Sequence, residues 1–164
     1  MLVFSDTSPI SCLASLDRLE LLESFGGVKI VPAVEAELSR HPSARARKLI
    51  DQAFERGLLV RELVNTTDPV CLLLEHELDL GEAQVLATAK ATYADLVLLD
   101  ERDGRKWARR LELSTVGTLG ILLMAKREGR LNSVRQTMSE LTRDYGFSID
   151  PTLLDRALKQ VGES

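Results

Sequence analysis

The chain has 164 residues, of which 45% are apolar, 28% charged and 4% aromatic, with a formal net charge of −4. A chain of this size can bury a core as one globular domain over residues 1–164, and its composition excludes a disordered, collagenous or coiled-coil protein. The longest apolar stretches, Val70–Leu74 and Gly117–Ala125, fall far short of the ~18 residues that cross a bilayer, so no membrane partner is expected.

The opening MLVFSD lacks the basic and long apolar regions of a signal peptide, and the expected location is the cytoplasm. Cys12 and Cys71 stand alone in apolar surroundings without ligand-like spacing to His41 or His76, which predicts reduced core thiols.

In chain order, strand-length apolar runs occur at Leu2–Phe4, Val28–Val31, Leu58–Val60, Leu96–Leu99 and, more weakly, Ser114–Val116. Helix-patterned stretches lie between and after them: Arg18–Phe25, Pro32–Arg40, Ala44–Arg56, Gly81–Tyr93, Arg102–Leu111, Thr118–Arg127, Ser133–Tyr145 and Pro151–Val161. Ser8 followed by Pro9, and Asp150 followed by Pro151, are helix-start signatures, whereas Val64–Val70 reads as a loop. Alternation of this kind, with continuous apolar strands, predicts an α/β fold: a three-layer α/β/α sandwich on a mainly parallel sheet of about five strands.

Ligands of an open parallel sheet bind beyond the C-terminal strand ends, so the polar residues that follow each run are informative. Asp6 follows the first run after one Ser and Asp100 directly follows the fourth, which puts both carboxylates on one edge. Two such groups repel unless a cation or a proton lies between them. Each also suits a helix N-cap, with Asp103 at the capping-box position for Asp100. Glu82 opens an alanine-rich helix, and Asp79 with Glu82 forms a D-x-x-E capping box. On the helix Pro32–Arg40, Glu35 and Glu37 lie symmetrically about the apolar pair Val34 and Leu38, and helical geometry does not choose between them.

Positive charge is concentrated in Glu101–Arg110, which carries +3 while the rest of the chain carries −7. Such a helix is either a solvated face or a hold for a phosphate backbone beside acids that hold a cation. Trp107 within it is either a core residue or a base-stacking one. P-loop, dinucleotide-binding, nucleophile-elbow and H-E-x-x-H motifs are absent, as are the D-x-D of haloacid-dehalogenase phosphatases and the lysine of receiver domains.

The segments D-T-S-P (Asp6, Thr7, Ser8, Pro9), V-P-A-V-E-A-E-L, L-D-L-G-E-A (Leu78–Ala83), L-V-L-L-D-E-R with its basic helix, and G-T-L-G-I-L-L (Gly117–Leu123) together resemble the PIN domain. This is the fold of many metal-dependent ribonucleases, including the VapC-type toxins of prokaryotic toxin–antitoxin pairs. The resemblance covers nearly the whole chain and is strongest to a compact PIN subfamily with D-T-S-P, G-E-A, L-L-D-D-R and G-T-L-G at these stations.

The resemblance implies four acids that meet at the strand ends as metal ligands and catalytic groups: Asp6, Glu37, Glu82 and Asp100. Glu101 and Asp103 are auxiliaries, and a slipped register makes Asp103 the fourth ligand. Thr7 or Ser8 matches the family's hydroxyl near the first Asp, and Arg102, Arg105 and Lys106 are candidate phosphate contacts. Carboxylates without histidine suit Mg²⁺ or Mn²⁺ better than zinc. The implied activity is metal-dependent endoribonucleolytic hydrolysis of RNA, as the toxin of a type II pair. The implied partners are RNA, a cognate antitoxin and a second copy of the chain in a homodimer, for which the leucines at 16, 19, 21 and 22 offer either an interface or a core face. The competing readings are a PIN-fold module that binds RNA or protein without cleaving, and another carboxylate-metal enzyme such as a small phosphohydrolase.

Overall fold

A computed structural model describes residues 1–164, which divide into two compact units, Met1–Gly117 and Thr118–Ser164. The first contains the whole sheet: β1 (Val3–Ser5), β2 (Val28–Ile30), β3 (Leu59–Arg61), β4 (Leu96–Leu98) and β5 (Thr115–Val116). All neighbours are parallel and the order is β3-β2-β1-β4-β5. The chain steps outward from β1 through β2 to β3, then crosses back to the other side of β1. The switch point therefore falls between β1 and β4, where an open α/β sheet presents a crevice at its C-terminal edge.

Register makes that edge definite. Ser5 pairs with Leu98, and the Asp6 backbone N–H donates to the Leu98 carbonyl at 2.9 Å, so Asp6 leaves β1 beside the end of β4. Val3, Phe4, Val97, Leu98 and Leu99 are fully buried, as expected of central strands covered on both faces.

The helices of this unit are α1 (Thr7–Ser15), α2 (Pro32–Ser39), α3 (Ala44–Glu55), α4 (Pro69–Leu74), α5 (Leu80–Ala91) and α6 (Arg102–Arg110). They flank the sheet, and the five-stranded parallel architecture is the α/β fold expected from the alternation of elements. α5 is buried along its length from Gly81 to Ala89 and packs against α2, α4, α6, β1 and β4. A helix enclosed on every side cannot be amphipathic, which accounts for its small, mostly apolar residues.

Three local details differ from the sequence reading, and one alternative left open there is decided. The first helix begins at Thr7 with Asp6, not Ser8, in the N-cap position. The stretch 18–25 contains a 3-10 helix, Leu19–Phe25, rather than an α-helix. Of the leucines considered for an interface, Leu19, Leu21 and Leu22 are buried in the unit itself. The loop before Val70 ends in a short helix, α4, because the Asp68 carboxylate accepts from the Val70 N–H at 2.9 Å and Pro69 fits the first helical position.

The second unit consists of α7 (Thr118–Arg127), α8 (Val134–Tyr145) and α9 (Pro151–Gln160). Asp150 caps α9 through the Thr152 N–H at 2.8 Å, the start signalled by Asp150-Pro151. Glu163 closes the unit by accepting from the Val134 N–H at 2.7 Å, the Arg135 N–H at 3.0 Å and the Ser133 hydroxyl at 3.1 Å, all at the start of α8. No helix is long and apolar enough to cross a membrane.

Candidate active site

Asp6 occupies the N-cap position of α1, yet its carboxylate makes no capping hydrogen bond. Asp100 is not a cap either: the N-cap of α6 is Glu101, again without a side-chain bond to the helix. Neither strand-end aspartate is thus explained by helix capping. Asp79 does cap, accepting the Glu82 N–H at 2.8 Å.

Two hydroxyls at the start of α1 hold two of the carboxylates. Thr7 Oγ1 donates to Glu37 Oε2, and Ser8 Oγ donates to Asp100 Oδ2 at 2.8 Å. The choice between the glutamates of α2 is made by tertiary context. Glu35 receives Arg61 Nε at 2.8 Å on both carboxylate oxygens, whereas Glu37 faces α1 and α5. Gln84 of α5 fixes α2 further by accepting the Ala33 N–H at 3.0 Å.

Three glycines make room for the acids. A Cβ on Gly81 would lie 3.0 Å from Glu37 Oε1, one on Gly104 2.6 Å from Glu82 Oε2, and one on Gly117 2.8 Å from Asp100 Oδ1. Gly81 and Gly104 lie in the first turns of helices, where glycine is less favourable than alanine and calls for a local reason. Here the reason is space.

The electrostatics mark the same group. Asp6 is 5% exposed and its carboxyl is pushed up to about 7 by burial first, then by the charges of Asp79, Glu37 and Glu101, against a lowering by the Thr7 N–H. Glu82 is 6% exposed and pushed up to about 9 by burial, by a side-chain hydrogen bond with Asp79, and by the charges of Asp79, Asp6 and Glu101. Its Oε2 is buried without a hydrogen-bond partner. A buried carboxylate oxygen left unmatched calls for a proton or a cation.

The structure therefore brings Asp6, Glu37, Asp79, Glu82 and Glu101 into one acidic cluster, with Asp100 beside it on the neighbouring strand end. Asp79 and Glu101 were readable only as a helix cap and an auxiliary. Asp103 is exposed in the first turn of α6 and is not among the charges that raise Asp6 and Glu82. Arg102 and Lys106 are exposed, whereas Arg105 folds back so that its Nε donates to the Leu99 carbonyl at 2.9 Å. Trp107 is half-buried with the Arg110 guanidinium over its ring at 4.7 Å.

The donor set fits a hard divalent cation in its chemistry: every group is a carboxylate, their charges raise one another, and one oxygen is unmatched. In their present positions no three acidic, histidine or cysteine side chains stand at a common ligating distance. Ligation would draw in carboxylates now held by Thr7, Ser8 and Asp79.

The parallel sheet with acids gathered at its switch point defines an α/β protein with an acidic site at the strand ends. The family model DUF3368, a PIN domain, matches residues 2–163, and the chain belongs to the PIN-domain family. PIN domains are generally nucleases and typically use divalent metal ions. Neither the curated proteins nor the solved structures give a significant match to the chain.

Proposed function

We propose that the protein is a Mg²⁺- or Mn²⁺-dependent endoribonuclease. The observation that carries this reading is the cluster of carboxylates at the β1/β4 edge, with two members raised well above the ordinary carboxylate range and Glu82 Oε2 buried and unmatched. Asp6, Glu37, Asp100 and Glu82 are the residues that would hold the ion. A bound divalent ion supplies stabilisation of negative charge on a phosphodiester and a better water nucleophile at neutral pH.

The chain's own residues do the rest. Thr7 and Ser8 orient Glu37 and Asp100, while Arg102 and Lys106 project into solvent on α6, which starts two residues after Asp100 and offers phosphate contacts beside the acids. Concentrating positive charge there lets a net acidic protein bind RNA.

The direct test is cleavage of a mixed RNA pool by wild type, Asp6→Asn and Asp100→Asn with Mg²⁺, Mn²⁺ or EDTA. Metal-dependent cleavage that both substitutions abolish is expected. Wild type that is inert with both metals and binds neither in calorimetry rejects the reading.

Within it, we assign the protein to the toxin half of a toxin–antitoxin pair that acts as a homodimer in the cytoplasm, on the strength of its family and motif pattern. A toxin halts growth when expressed alone and is relieved by an adjacent antitoxin gene; growth unaffected by active enzyme rejects this assignment. A second reading, a PIN-fold module that binds RNA or protein without cleaving, is favoured by the lack of three groups at a common ligating distance. RNA binding that is indifferent to Mn²⁺ supports it.

A further inference from the structure

Of the basic residues on α6, Arg102, Lys106, Arg109 and Arg110 are exposed, and only Arg105 turns inward. Its Nε donates to the carbonyl of Leu99, the residue before Asp100, at 2.9 Å. Its Nη2 occupies the place where a Cβ on Gly117 would stand, and Asp100 Oδ1 lies 2.8 Å from that same point. Gly117 directly follows β5, and the Leu99 N–H donates to the Val116 carbonyl at 2.9 Å, so the ends of β4 and β5 meet here.

A guanidinium is a rigid planar fork and can hold a carbonyl with one nitrogen while another rests against the next strand. The opposite oxygen of Asp100, Oδ2, is held by Ser8. The Asp100 carboxylate is thus held by α1 through a hydroxyl, and on its other side it shares with the Arg105 guanidinium the space that the missing side chain of Gly117 leaves open. A side chain at position 117 would displace the guanidinium and the carboxylate together.

We propose that Arg105 is a positioning residue, which fixes the ends of β4 and β5 and through them the Asp100 carboxylate, and is not a contact to RNA phosphate. Its kinetic consequence rests on the nuclease reading above; its structural consequence does not. The Arg105 Nε–H is committed to the Leu99 carbonyl and its Nη2 stands against Gly117, which leaves less of the fork to a phosphate than the exposed Arg102 and Lys106 offer.

The test compares full-length Arg105→Lys and Arg105→Ala with Arg102→Ala. Hydrogen exchange at the Leu99 amide is expected to speed up about 10-fold in both Arg105 variants and stay at the wild-type rate in Arg102→Ala. RNA binding without metal, measured against salt, should keep its slope in the Arg105 variants and lose about 0.7 in Arg102→Ala, the loss that goes with one single-strand phosphate contact. With Mn²⁺, both Arg105 variants should lose about 10-fold in kcat at nearly unchanged KM, with no rescue by lysine, which keeps the charge but not the fork. A lowered salt slope in Arg105→Ala that lysine restores overturns the proposal, as does unchanged exchange at Leu99. Should Arg105→Ala fail to fold, Arg105→Lys carries the comparison. A wild type that neither binds nor cleaves RNA rejects the nuclease reading, and the clamp is then decided by the exchange rates alone.

Discussion

Ser8 Oγ donates to Asp100 Oδ2 at 2.8 Å across 92 positions of sequence, tying the first turn of α1 to the acid that follows β4. This bond spans the switch point of the sheet, where β1 and β4 run side by side. On the nuclease reading proposed above, Ser8→Ala should lower RNA cleavage about 10-fold, since the orientation of a carboxylate proposed to hold the ion is lost, while costing only about 1 kcal/mol in stability. Metal-dependent cleavage and thermal unfolding measured on the same preparation check both halves of this expectation.

Stability should fall as pH rises in the absence of divalent ions. Asp6 and Glu82 have folded-state values of about 7 and about 9, above their ordinary values of 3.8 and 4.5. The native state therefore binds more protons than the unfolded state over that interval, and raising the pH works against folding. The loss due to Asp6 develops from about pH 4 to 7, and that due to Glu82 continues to about 9. In EDTA at pH 8, Asp6→Asn should melt at least roughly 2–4 °C above wild type, the shift that ~1 kcal/mol produces in a domain of this size. Unfolding curves from pH 4 to 9, with and without Mn²⁺, test this, and an unchanged or lower melting point for Asp6→Asn at pH 8 contradicts it.

Gly104→Ala would ordinarily stabilise a helix by up to about 1 kcal/mol. Here its Cβ would stand 2.6 Å from Glu82 Oε2 and 3.1 Å from a Leu99 methyl, so the substitution should instead destabilise by roughly 1–3 kcal/mol. Glu82→Ala removes the colliding carboxylate. The double variant should then recover part of the loss, with a coupling of at least about 0.5 kcal/mol in a double-mutant cycle.

Glu163 should anchor the second unit. Burial pushes its carboxyl up, but the Arg135 and Val134 N–H groups, the Ser133 hydroxyl and Lys126 outweigh this and leave it lowered. A lowered acid contributes stability above its unfolded value and loses it as pH falls through the folded one. Glu163→Gln should cost about 1–2 kcal/mol at neutral pH and increasingly less on acidification. Hydrogen exchange in α8 reads the effect locally.

Much of this site could be read from the sequence because the strands are short and end in acids. The apolar runs stop next to Asp6 and at Asp100, and an all-parallel sheet must present its strand ends on one edge. Glu37 could not be separated from Glu35 by pattern, since the choice depends on Arg61 in β3, which takes Glu35. Arg105 was read with Arg102 and Lys106 as a phosphate contact because a run of helical charge does not reveal which member folds inward. Asp79 was visible as a cap, yet a cap that also raises Glu82 requires the burial of α5 to be known. Gly104 carried a further signal: it sits in the first turn of a helix, where alanine would serve unless a neighbour needs the space.

The enclosure of α5 bears on how the protein should be dissected. With Gly81 through Ala89 all buried, that helix has no face on which substitutions are tolerated, so loss of activity along it will look the same whether a residue binds an ion or merely fills space. A scan by alanine or by random change would paint the whole segment as essential and conceal Glu82 among its packing neighbours. Only a near-isosteric replacement such as Glu82→Gln, which keeps the volume and removes the ability to ionise, separates the chemistry of this helix from its architecture.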